Sequence, residues 1–109
     1  MSEKPSVTIT SANLVAVTNA FKTVEDAYYT RQTLRRILQT DRQYSNWQRT
    51  MHDGLKKEMP DVPDALPMDE RIAVAECRIA KKTAQIAETA ERLRESYGIV
   101  FVDDAAEPA

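Results

Sequence analysis

Three Ile-Ala pairs stand seven residues apart, at Ile72-Ala73, Ile79-Ala80 and Ile86-Ala87, and Leu93 continues the beat one heptad later. Seven residues are close to two turns of α-helix, so these four large side chains line one narrow stripe of a single rod. The alanines beside them form a flatter stripe that lets another helix approach closely. The pattern predicts a helix over residues 68–97 whose apolar face packs against other helices.

The remainder of the chain follows the same tendency. Only two glycines occur among 109 residues, Gly54 and Gly98, and both are expected where helices end. Leu14, Val17, Phe21, Val24 and Tyr28 recur at threes and fours, which predicts an amphipathic helix with Ser11 as its N-cap. A second set, Leu34, Ile37, Leu38, Tyr44, Trp47, Met51 and Leu55, has helical spacing too, on a stripe rotated from the first. That rotation predicts a break. Thr40 followed by Gln43 resembles a capping box, which places the break near Gln39 and the two helices at 12–39 and 41–58. An unbroken helix over 12–58 would be roughly 70 Å long, well beyond the roughly 45 Å of one over 68–97.

Pro60, Pro63 and Pro67 make a stiff, extended connector of residues 59–67. Pro67 suits a first helical turn, and Asp69 and Glu70 favour the positive end of the helix that follows. Gly98 supplies its stop. At either side of the helical region lie β-prone stretches, Val7-Thr8-Ile9-Thr10 and Ile99-Val100-Phe101-Val102. The second is apolar on both faces, which favours covering by another chain. The expected architecture is mainly α: an antiparallel helical hairpin or a three-helix bundle, with short N- and C-terminal strands able to pair. It forms a single helical domain over 1–109, with residues 1–6 and 103–109 as flexible tails.

Composition narrows the function classes. Apolar residues are 42% and charged residues 29%, a globular balance. No apolar run approaches a membrane span or the core of a signal peptide, and Cys77 is the single cysteine. The chain reads as soluble and cytoplasmic. His52 is the lone histidine, which leaves no metal-ligand spacing and no triad, and Asp53 is only its sequence neighbour. Glu88, Glu91 and Glu95 share a helical face but lack histidines or a matching carboxylate set, so they read as solvated. There is no glycine-rich phosphate loop and no nucleophile elbow. No catalytic residue, metal or cofactor is expected.

Charge is more informative. Residues 31–57 carry seven Lys/Arg and two acids, a net +5, whereas residues 58–76 carry a net −5, and the whole chain is −2. Arg35, Arg42, Arg49 and Lys56 are seven apart, with Arg31 and the Tyr28-Tyr29 pair close by. Tyr29, Arg31, Arg35, Arg42, Arg49 and Lys56 are therefore the expected binding residues. Such a row can track phosphates, while tyrosines and Trp47 stack bases. It can also pair with an acidic segment of the same or another chain. A sequence pI near 5.4 favours protein over nucleic acid. Trp47 and Tyr44 are expected in the core. Ile72, Ile79, Ile86, Leu93, Ile99 and Phe101 are the expected self-association residues. The function expected is that of a non-enzymatic helical protein that forms a homo-oligomer and binds a protein partner, with nucleic-acid or phosphate binding as the alternative.

Overall fold

The computed structural model describes residues 8–106. Three helices pack together: α1 (Ser11–Leu38), α2 (Trp47–Glu58) and α3 (Met68–Tyr97). The three-helix alternative is the one realised. Among the described residues no helix is long and apolar enough to cross a membrane.

Local chemistry sets the ends. α1 starts one residue earlier than expected, because Thr10 and not Ser11 is the cap: the Asn13 amide donates to Thr10 Oγ1 (3.2 Å) and the Thr10 amide to Asn13 Oδ1 (2.6 Å). The predicted break is present, yet Thr40 does not begin the next helix. Its hydroxyl turns back and donates to the Ile37 carbonyl at 2.6 Å, closing α1. Asp41 Oδ1 then accepts the Gln43 amide, and turns carry the chain to Trp47. α2 is consequently 12 residues long and not the expected 18. At the far end of α3, Gly98 takes φ 65° and its amide donates to Arg94 O, a left-handed stop that a side chain would strain.

The expected strands are not formed: among the described residues there is no β-ladder. Val7 lies outside the described residues, and Thr10 is occupied in capping α1. Ile99–Val102 belongs to no helix and has no strand beside it. Residues 1–6 and 107–109 of the expected tails also lie outside the described residues. Asp103–Ala106, read as tail, instead form a turn in which the Ala106 amide donates to Asp103 O.

The chain divides into two compact units. Unit 2, residues 29–82, holds the end of α1, all of α2, the proline connector and the start of α3. Its core is Leu34, Met51, Leu55, Met59, Val62 and Ala75, with Ile37, Leu38, Trp47, Leu66, Ile72 and Ile79 packed around it. Gly54 sits within α2 and not at its end. A Cβ there would meet three Ile37 carbons at 3.1–3.3 Å, so glycine is what lets α2 lie this close to α1.

The connector in unit 2 is ordered by arginines. Arg71 is 2% exposed, and its guanidinium donates to the carbonyls of Leu66 (2.8 Å) and Pro63 (2.7 Å). One turn pair further along α3, Arg78 grips the Asp61 carboxylate with both Nη atoms, the Nη1 contact being 3.0 Å. A proline-rich segment has few amide donors, and α3 supplies the missing ones.

Unit 1, residues 1–28 and 83–109, joins the first part of α1 to the second part of α3 and the segment after it. Its core cluster is small: Val24, Ala27 and Ile86, with Phe101 laid against them.

Candidate interaction surfaces

The basic row does not form one face. Arg35 lies on α1, Arg42 in the turns before α2, and only Arg49 and Lys56 share a helix. Arg31 departs furthest from expectation. It is fully buried, because position 31 falls on the inward side of α1 together with Ala27 and Leu34. It is an interior residue and cannot meet a partner at the surface. Arg35 is half-buried and donates to Gln32 Oε1 at 3.2 Å. Lys56 reaches Asp64 at 3.1 Å, so part of the basic row pairs with the acidic connector of the same chain.

These pairs shift carboxylates in the expected sense. The Lys56 ammonium holds the Asp64 carboxyl below its ordinary value, and hydrogen bonding from Arg78 does the same for Asp61. Asp61 in turn pushes Arg78 up. In unit 1, Arg94 lowers Glu91 across one helical turn, so the acidic face of α3 is partly neutralised by its own helix.

What remains of the basic surface gathers around the turns at 39–46. Arg42 lies over the Trp47 ring at 5.2 Å, Tyr44 is exposed, and Arg36 and Arg49 are exposed nearby in sequence. Tyr44 was expected in the core; unwinding of 41–46 removes it from the helical face that would have buried it. Trp47, at the start of α2, does pack against the core. Tyr29 is 62% exposed on α1.

The Ile stripe of α3 also turns inward. Ile86 and Leu93 are each 1% exposed, and Ile72 and Ile79 pack against the unit 2 core. The four are consumed by intrachain packing and present little to a second copy. Ile99 and Phe101 are half-buried, with Phe101 on the unit 1 core.

Exposed apolar side chains lie elsewhere, and mostly in unit 1. Leu14, Phe21 and Tyr28 follow one another at seven-residue spacing on α1, 53%, 41% and 37% exposed. They form a row beside the buried Val17 and Val24. Val100 and Val102 are 76% and 72% exposed, and Ile9 and Val15 are exposed as well. Val100 and Val102 lie in the segment expected to be covered by another chain, whereas Leu14, Phe21 and Tyr28 are outside the expected self-association set. The available signal was width: positions 14, 21 and 28 together with 17 and 24 make an apolar band broader than one neighbouring helix covers.

Groups suited to catalysis stay scattered. His52 Nδ1 lies 3.5 Å from Asp53 Oδ1, closer than sequence neighbours on a helix were expected to come. Cys77 is exposed. Among the described residues no cluster of His, Cys, Asp and Glu could hold a metal ion. Comparison with protein-family models, curated proteins and solved structures finds no match.

Proposed function

We propose that this chain is a non-enzymatic helical protein that self-associates and acts by binding another protein. The observation that carries the reading is the concentration of exposed Leu14, Phe21, Tyr28, Val100 and Val102 on unit 1. Exposed apolar groups gathered in this way mark interaction surfaces, whereas singly scattered ones mark nothing. The non-enzymatic part rests on the sequence, which offers one histidine, one cysteine and no nucleotide or nucleophile motif. Light scattering across micromolar concentrations tests the core of the proposal. The expected mass is a multiple of 12.3 kDa, and a clean monomer throughout would overturn it. His52→Ala and Cys77→Ala are expected to leave folding and binding unchanged; loss of function without loss of fold in either would revive an enzymatic reading.

A second reading has one specific observation in its favour. Arg42 stacked on Trp47, beside exposed Tyr44, presents the kind of aromatic and cationic surface on which single-stranded nucleic acid stacks. A mobility-shift titration at low salt decides between the two. A robust shift that weakens steeply with salt would favour nucleic acid. No shift leaves protein binding ahead.

A further inference from the structure

We propose that Ile99–Val102 pairs with the same segment of a second copy as an antiparallel two-stranded ribbon, so that this chain dimerises by strand addition. The proposal rests on the self-association reading and names the surface and geometry that would serve it.

Four observations carry it. Residues 99–102 are β-branched or aromatic throughout, the composition best suited to a pleated strand. Exposure alternates along them: Ile99 and Phe101 are half-buried, while Val100 and Val102 are 76% and 72% exposed. That period of two is the signature of a strand lying on a core with its other face in water. The segment is already anchored, since Phe101 rests on Val24, Ala27 and Ile86. Finally, the main chains of Val100, Phe101 and Val102 make no hydrogen bond to any described residue. A β-prone segment with open donors and acceptors is a template for another strand.

The register follows from geometry. The Ile99 amide donates inward to Leu93 O at 3.2 Å. Along a strand, N–H and C=O groups of alternate residues face the same side, so Val100 and Val102 offer theirs to the free edge. Pairing Val100 of one copy with Val102 of the other satisfies four such groups twice and sets the two Phe101 rings side by side on the core face. Centring on Val100 instead would oppose Val102 with Gly98, whose φ of 65° is incompatible with a strand. Charge selects the direction. Asp103 and Asp104 follow at once, and a parallel ribbon would set these carboxylates beside their own copies, whereas an antiparallel one places them at opposite ends. The same carboxylates and the Gly98 turn bound the strand, which favours a closed pair over an open stack. A free ribbon of this length is marginal, but here each strand is fixed by its own core.

Hydrogen exchange on the full chain at two concentrations tests the inference, with sedimentation of wild type, Val100→Pro and Val100→Thr alongside. The amides of Val100 and Val102 are expected to become protected as concentration rises through the dissociation constant. Val100→Pro deletes one inter-strand donor per copy and is expected to weaken dimerisation about tenfold or more. Val100→Thr, which keeps the amide and the strand preference, is expected to stay near wild type. Should the chain associate while these amides exchange freely, or should Val100→Pro associate as wild type, the ribbon is refuted and self-association stands through another surface. A monomer at every concentration refutes both. The wild-type exchange measurement decides even if the proline variant misfolds.

Discussion

The two units of this chain are built from the same helices and finished differently. Unit 2 closes on six buried apolar residues, a proline connector tied down by Arg71 and Arg78, and a glycine that draws α2 against α1. Unit 1 has a cluster of three buried residues and leaves an apolar row of α1 and half of the 99–102 segment in water. α2 accounts for much of the difference. It contributes Met51 and Leu55, each fully buried, to unit 2, and no third helix enters unit 1. A pair of helix segments buries less than three do, and the shortfall appears as exposed Leu14, Phe21 and Tyr28.

Substitutions matched across the units sharpen this contrast. Leu55→Ala, in the sealed core, is expected to lower stability in urea by about 2–5 kcal/mol, whereas Phe21→Ala on the open row costs about 1 kcal/mol. Equal losses would show that the row is as well packed as the core. Arg71→Met comes next, at about 2–3 kcal/mol, because it takes the guanidinium donor from the Leu66 carbonyl and leaves the Pro63 carbonyl with only the Leu66 amide. The same denaturation midpoints check it, and a neutral result would mean that the connector does not need α3. Gly54→Ala gains helix propensity but drives a methyl into Ile37, and a net loss of about 1 kcal/mol is expected.

The smallest effect is the pH dependence. Asp61 and Asp64 have folded values below the ordinary 3.8, so their pairs contribute fully above about that pH and lose the contribution as pH falls through the lowered values. Asp61→Asn is therefore expected to flatten the acid limb of stability slightly. Both carboxylates are exposed, so the change is small. A steeper limb in the variant would reverse the assignment.

Legibility from sequence divided along a physical line. The α3 heptads, the break near Gln39, a non-helical connector over 59–67 and the Gly98 stop follow from local chemistry and are present. The connector, however, is folded into two turns, Val62 N–H to Met59 O and Leu66 N–H to Pro63 O, and is not extended. Thr40 offered two local choices, capping forward or bonding back to the Ile37 carbonyl, and the spacing to Gln43 did not distinguish them. The features that depend on long-range packing were not readable. Arg31 and Arg71 look like solvated charges in a sequence, yet both are interior. Burial of Arg71 is tolerable because connector carbonyls face it, and no sequence pattern announces that. The strand preference of Ile99–Val102 was legible, whereas a ladder requires a second strand that this chain does not place there. For the candidate surface, Leu14, Phe21 and Tyr28 were visible as apolar, but their exposure depended on where α2 ended up.

The grip of Arg71 on the connector also bears on how the chain meets a protease. A proline-rich link between helices would ordinarily be the first place cut, since exposed loops open locally at little cost. Here the Pro63 and Leu66 carbonyls are held by a side chain of α3, and Val62 is buried with Met59 in the same core. Fitting the backbone into a cleft would require releasing those contacts together. Cleavage between Met59 and Pro67 should consequently follow the cooperative opening of unit 2, slowing in any variant that stabilises that unit and accelerating with Leu55→Ala.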